Sequence, residues 1–254
     1  MDLGLEGKRA LITGASRGIG FACAKALAAE GCDVALVARD VPRLKKAVKA
    51  IRAESRVGVT SHATDLTVPG RMAALVEVVG DVDILVNNAG AVPGGDLATV
   101  DDARWRQAWE LKVFGYINLC RLILPSMEER GSGVIVNVIG TASMRPRADY
   151  VAGATGNSAL MGFTRAMGGE SLRRGVRVVA VNPGLIATDR MEDLLRQQAI
   201  DRLGDADRWQ ELVPHDPAPG TPEHVADVVT FLASDRAGHV SGTALTVDGG
   251  STGW

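Results

Sequence analysis

Cysteine is scarce and scattered. Cys23, Cys32 and Cys120 form no Cys-x-x-Cys pair, which excludes a disulfide framework and a thiolate metal site. The four histidines, His62, His215, His224 and His239, show no His-x-x-x-His spacing, so no metal is expected. There is no dominant charge: 28 Lys and Arg stand against 30 Asp and Glu, which gives no basic field for a polyanion and makes nucleic acid an unsuitable partner. No apolar run is long enough to cross a bilayer, so no membrane contact is expected. The opening residues Met1 to Arg9 carry Asp2, Glu6, Lys8 and Arg9, which argues against a signal peptide. With few thiols and no leader, a reducing cytoplasm is the expected location.

What is present is a regular alternation. Apolar runs at Arg9-Ile12, Asp33-Val37, Val57-His62, Ile84-Asn87, Val134-Val138, Val176-Val181 and Ala244-Val247 read as buried strands. Stretches with apolar residues at helical spacing separate most of them, at Ile19-Glu30, Pro42-Ala53, Arg71-Val79, Ala103-Arg130 and Val151-Arg174. Strand followed by helix, repeated, predicts an α/β fold: a doubly wound parallel sheet with helices on both faces. No solenoid-period repeat or low-complexity linker divides the 254 residues, so one domain spanning 1–254 is expected. The segment 188–221 reads as one long irregular stretch, which in a compact domain points to a substrate lid.

Between the first strand and first helix lies Thr13-Gly14-Ala15-Ser16-Arg17-Gly18-Ile19-Gly20. Glycines at such a turn let bare backbone approach a pyrophosphate, and the helix N-terminus favours its charge. The spacing Gly-x-x-x-Gly-x-Gly differs from the general dinucleotide fingerprint, so the turn alone is also compatible with a tight, ligand-free βα connection. The turn is followed by Asp65-Leu66, Asn87-Asn88-Ala89-Gly90, Asn182-Pro183-Gly184 and Asp248-Gly249-Gly250. This ordered series resembles the short-chain dehydrogenase/reductase family from end to end. The resemblance implies a Rossmann-like single sheet of about seven parallel strands. It also implies that Gly14, Ser16, Arg17, Gly18, Ile19 and Gly20 hold the diphosphate region. Asp65 and Leu66 would flank the adenine, Asn88, Ala89 and Gly90 the adenosine ribose, and Pro183, Gly184, Ile186 and Thr188 the nicotinamide. A homodimer or homotetramer, packed through the long helices at Ala103-Arg130 and Val151-Arg174, is implied as well. Gly153, Ala154, Gly156 and Ala159 are small enough for close helix approach.

At the end of the second strand, Leu36-Val37-Ala38-Arg39 offers a guanidinium where a carboxylate would select NAD(H). Arg39 suits a 2′-phosphate and Arg17 can reach the same group, so NADP(H) is expected over NAD(H). The alternative is that both are solvated surface arginines.

The same resemblance calls for an Asn, a Ser and a Tyr-x-x-x-Lys pair, and this chain departs at each. Aligning Leu160-Met161-Gly162-Phe163 puts Gly153 at the tyrosine and Asn157 at the lysine. Gly140 falls at the serine, and Lys112 falls at the asparagine. Lysine and amide have exchanged positions, which keeps one ammonium and one amide in the same pocket. Trp105, Ala108, Trp109, Gly115, Tyr116 and Leu119 flank Lys112 on an inward stripe; the alternative is a lysine that snorkels to solvent. Tyr150 and Tyr116 are the only phenols. Tyr150 shares the stripe of Gly153 and Asn157 if its helix starts early, and Tyr116 lies four residues after Lys112. Thr141 could supply the hydroxyl missing at Gly140. The candidate catalytic set is therefore Lys112, Tyr150, Asn157, Thr141 and Tyr116.

These features predict an oxidoreductase that moves hydride between NADP(H) and a carbonyl, an alcohol or an activated double bond of a small to medium organic molecule. The alternative is a catalytically silent dinucleotide-binding homologue acting as sensor or partner subunit. A methyltransferase fits less well, because Arg39 stands where a nucleoside ribose would want an acid.

Overall fold

Runs of Val, Ile, Leu and Ala without polar alternation can be buried on both faces only in a covered parallel sheet. In the computed structural model, which describes residues 1–252, the seven runs form β1 (Arg9–Thr13), β2 (Asp33–Ala38), β3 (Val59–Ala63), β4 (Ile84–Asn87), β5 (Gly133–Val138), β6 (Val176–Pro183) and β7 (Ala244–Val247); contrary to expectation β3 and β7, at the sheet edges, are exposed or half-exposed along most of their length. All seven are parallel in the order β3-β2-β1-β4-β5-β6-β7. The strand order reverses between β1 and β4, and a crevice opens there at the carboxyl ends of the strands.

Helices α1 (Gly18–Ala29), α2 (Val41–Glu54) and α8 (Pro222–Ala233) cover one face, where Leu27, Leu44, Ile51, Val225 and Leu232 pack on Ile12, Leu36 and Ile84. Helices α3 (Arg71–Val79), α5 (Gly115–Arg130) and α6 (Val151–Ser171) contribute to the other, where Leu75, Leu119, Ile123 and Met127 pack on Leu11, Leu85 and Ile135. Each fully buried Leu or Ile contributes about 1.5–3 kcal/mol through removal from water.

Three expectations need correction. The stretch Ala103-Arg130 is α4 (Asp102–Trp109) and α5 joined by a π-helical turn, Glu110–Phe114, in which the Gly115 N–H bonds to the Glu110 carbonyl. The segment 188–221 is not irregular: it holds α7 (Asp189–Leu203) and a 3₁₀ segment, Ala206–Leu212. The Thr188 hydroxyl caps α7 at the Met191 N–H, Asp189 and Glu192 complement its positive end, and Gly204 closes it in the left-handed region. Finally, Gly153, Ala154 and Gly156 are buried inside the chain rather than offered to a partner helix. Gly156 lies against Trp109 and Val113, so its missing side chain lets α6 close on the π-helical turn, and the Trp109 Nε1–H donates to the Ala152 carbonyl at 3.0 Å.

Candidate active site

The glycine turn sits at the β1/β4 reversal. Gly14 and Gly18 have φ of +67° and +54°, a region that other residues adopt with strain. A Cβ on Gly20 would lie 2.4 Å from Asn88 Nδ2 and 2.5 Å from the Gly14 carbonyl oxygen. Asn88 Nδ2 donates to the Thr13 carbonyl at 3.0 Å, and the N–H groups of Asn88 and Ala89 donate to Thr13 Oγ1 at 2.9 and 3.0 Å. The turn is thereby tied to the end of β4, and only bare α-carbons leave room for it. No described side chain caps the start of α1, so its first N–H groups face outward for an anion. The cradle fits a nucleotide diphosphate.

Around this cradle, the two arginines face different carboxylates. Arg39 Nη1 lies 3.9 Å from Asp65 Oδ2, whereas Arg17 pairs with Asp189 at the start of α7. Arg43 Nη1 reaches the same Asp189 carboxylate at 3.8 Å. The Arg17 contact holds the Asp189 carboxyl below the usual carboxylate range. Bonds from the Thr67 N–H and hydroxyl, with Arg39 beyond them, do the same for Asp65. Ser16 and Ile19 lie on the turn at intermediate exposure, and Leu66 is buried.

At the other end of the crevice, Pro183 closes β6 and the Gly184 N–H donates to the Val247 carbonyl at 2.9 Å. Ile186 is buried, and the Thr188 methyl lies 3.4 Å from where a Gly18 Cβ would stand. Residues 183–188 therefore fold back across the glycine turn.

Lys112, on the π-helical turn, is 8% exposed, which excludes snorkelling. Its stem crosses Gly90, where a Cβ would be 2.7 Å from Lys112 Cδ. Its Nζ donates to the Val138 carbonyl at 2.7 Å, the Ile139 carbonyl at 3.3 Å and Tyr116 Oη at 2.9 Å. The Tyr116 hydroxyl donates in turn to the Val138 carbonyl at 2.9 Å. Burial, with Arg190 adding repulsion, pushes the amine from 10.5 down to about 7, while the three acceptors favour the ammonium. Burial pushes the Tyr116 phenol well above its ordinary value.

Asn157 is also buried, and its Nδ2 donates to the Gly140 carbonyl at 3.4 Å. Lysine and amide thus meet the same strand end, residues 138–140, from α5's side and from α6. Gly140 has φ +133°, so a serine there would be strained. Thr141 opens a short 3₁₀ turn beside it.

Tyr150 caps α6 with φ −144° and ψ 37°, so it lies off the helical stripe. Its ring nevertheless fills the space left at Gly153, where a Cβ would be 2.1 Å from two ring carbons and 2.7 Å from the phenol oxygen. The hydroxyl has no hydrogen-bond partner among the described residues. Burial pushes all three cysteine thiols up to about 12, which leaves no thiolate nucleophile. Sequence reasoning missed Arg43, Asp189 and Arg190. The signal for Asp189 and Arg190 was the capped helix start after Thr188, and for Arg43 its place three residues beyond Asp40, the N-cap of α2.

A family model described as short chain dehydrogenase matches residues 8–199. The chain belongs to the short-chain dehydrogenase family. Over 255 residues this short-chain dehydrogenase is 34% identical to galactitol 2-dehydrogenase (L-tagatose-forming) of Cereibacter sphaeroides, covering 98% of this chain and 97% of the relative. It is also 34% identical to the 3-oxoacyl-[acyl-carrier-protein] reductase of Vibrio cholerae, with 98% of each covered. Among solved structures, L-sorbose reductase from Gluconobacter frateurii, complexed with NADPH and L-sorbose, matches with a TM-score of 0.89 and 35% identity over 98% of both chains. These relatives are named as dehydrogenases and reductases. Among the described residues no helix is long and apolar enough to cross a membrane.

Proposed function

We propose that this short-chain dehydrogenase is an NADP(H)-dependent oxidoreductase with a rearranged active site. Its substrate is a small to medium organic molecule presenting a carbonyl, an alcohol or an activated double bond. The observation that carries this reading is the convergence of Lys112 and Asn157 on residues 138–140, beside an open glycine cradle. When bound, the nicotinamide supplies or accepts the hydride, leaving the protein to orient and polarise the substrate.

In this reading Gly14, Ser16, Gly18, Ile19 and Gly20 hold the diphosphate, and Asp65, Leu66, Asn88, Ala89 and Gly90 hold the adenosine. Pro183, Gly184, Ile186 and Thr188 border the nicotinamide. Arg39 and Arg17 take the 2′-phosphate, which selects NADP(H) over NAD(H). Lys112 places positive charge under the reacting oxygen at the end of β5, where low dielectric strengthens it. Asn157 and Thr141 offer hydrogen bonds on the opposite side. Tyr150, with its free hydroxyl, moves the proton, and Tyr116 is a positioning residue because its own proton is committed to Val138. The segment 188–221 is the lid over a single domain, 1–254. The assembly is a homodimer or homotetramer, and a reducing cytoplasm suits three unpaired, buried thiols.

A carbonyl and enone panel monitored by NADPH absorbance tests the chemistry. Tyr150→Phe and Lys112→Ala are each expected to lower kcat by about 10²-fold or more. A parent that oxidises NADPH with none of the panel refutes the oxidoreductase reading. Fluorescence titration tests the cofactor: Arg39→Ala is expected to weaken NADPH by about tenfold or more and to leave NADH little changed. One observation favours the silent-homologue alternative, namely that all three Nζ protons of Lys112 are spent inside the protein. NADPH binding without turnover would support it.

A further inference from the structure

Arg190 is the odd member among the lid's arginines. Arg196 pairs with Glu192 and Asp207, Arg202 with Asp149, and Arg208 with Glu211. Arg190 has no carboxylate within ion-pair distance among the described residues. Its guanidinium donates to the Val92 carbonyl instead, and its other N–H groups have no protein partner there. It also stands in the first turn of α7, where a cation opposes the helix dipole, so helix stability does not account for it.

Its position is informative. The Lys112 stem lies on Gly90, and Arg190 is held two residues further along at Val92. Arg190 is thus bonded to the short loop after β4 over which the Lys112 stem passes. Asp149 is engaged by Arg147 and Arg202, Asp189 by Arg17 and Arg43, and Asp96 by the Thr99 and Ala98 N–H groups, while Asp193, three residues further along α7, is exposed and lies beyond ion-pair distance of Arg190. A half-buried guanidinium without a carboxylate partner calls for an anion from outside the chain. A guanidinium with a free edge suits a planar two-oxygen group better than a point charge would.

We infer that Arg190 is a specificity-determining residue that engages a carboxylate on the substrate, so that the substrate class is an oxo acid or the corresponding hydroxy acid. The inference rests on the oxidoreductase reading for the reacting carbonyl, but the carboxylate contact can be measured without turnover. The probes are pyruvate, acetoacetate and levulinate, each beside its methyl ester, titrated by calorimetry into the protein saturated with NADP⁺. At least one acid is expected to bind about tenfold or more tightly than its ester, the effect of one charge-assisted hydrogen-bonded pair. In Arg190→Gln that acid-to-ester ratio is expected to collapse towards one, and Arg190→Lys is expected to recover part of it.

A ratio near one for every pair in the parent overturns the inference whatever the variants do. So does a ratio that survives Arg190→Gln. The two readings fail separately. Ester carbonyls reduced as well as acids would leave the oxidoreductase standing and remove the role of Arg190. Acids bound through Arg190 without any NADPH oxidation would do the reverse.

Discussion

A buried amine is costly unless it is bonded, and Lys112 makes three hydrogen bonds and still carries a depressed pKa. Between about 7 and 10.5 the folded chain binds fewer protons at Lys112 than the unfolded chain does, so this residue makes stability rise with pH across that window. Below the window the full cost of charging a buried amine is present. Lys112→Met is therefore expected to be most stabilised relative to the parent near pH 6.5. That advantage should shrink as pH rises, by at most about 1.4 kcal/mol per pH unit. Urea denaturation at pH 6.5, 8 and 9.5 measures it, and a pH-independent difference would show that the amine titrates normally. The Tyr150 and Gly153 pair gives a second test. Gly153→Ala puts a methyl 2.1 Å from the Tyr150 ring, so the ring must move or the site must strain. The expected loss is about 1–3 kcal/mol, relieved in a Tyr150→Ala background, and a double-mutant cycle reads the coupling. At this scale the sequence was partly legible. Helical spacing put Lys112 inward and Tyr150 near Gly153, although Tyr150 reaches it from the helix cap rather than from the stripe. The bonds to Val138 and Ile139 were not legible, because they join residues 26 and 27 positions apart across strand and helix.

Elements were legible wherever periodicity was strong and unbroken. All seven strands sit within two residues of their apolar runs; burial on both faces leaves the five inner strands little freedom in register, and the edge strands β3 and β7 follow their neighbours. The π-helical turn at Glu110–Phe114 left no trace in the apolar pattern, since one extra residue inside a long helix keeps the stripe nearly intact. α7 was missed for another reason. Its apolar residues are few, and it is held instead by the Thr188 cap and the Glu192–Arg196 pair, signals that a search for apolar runs passes over. The glycine turn has little tolerance for a side chain. Gly20→Ala would drive a methyl to 2.5 Å from the Gly14 carbonyl, a backbone atom that cannot rotate away, and to 2.4 Å from Asn88. The expected result is a loss of about 1–3 kcal/mol in stability together with at least tenfold weaker NADPH binding, as the turn is forced off the end of β4. A parallel Gly169→Ala variant, likewise helical but with open space around its Cβ, separates crowding at the turn from the general effect of an added methyl. If the two variants lose NADPH affinity equally, crowding at the turn is not the cause.

For the molecule as a whole, the sheet order and its two covered faces account for the core but leave one surface with a regular character. On the outer side of α6, Thr155, Ala159, Gly162, Ala166 and Gly169 are exposed at alternating spacings of four and three. Phe114 and Leu122 on the neighbouring segment expose large apolar side chains. Small residues at that spacing let a second helix approach closely, and a symmetric dimer would place the same stripe on both sides of the interface. Of the small residues expected to admit a partner helix, Ala159 lies on this stripe, whereas Gly153, Ala154 and Gly156 are buried within the chain. Light scattering after size exclusion is expected to give a multiple of the 26.6 kDa chain mass for the parent. Gly162→Arg is the decisive variant, because a Cβ there meets nothing within 4 Å and the side chain can be housed by an isolated protomer. It should shift the species towards smaller assemblies while leaving the fold intact by circular dichroism. If Gly162→Arg keeps the parent's mass, the outer face of α6 is not the interface, and the exposed Phe114 and Leu122 become the next surface to substitute.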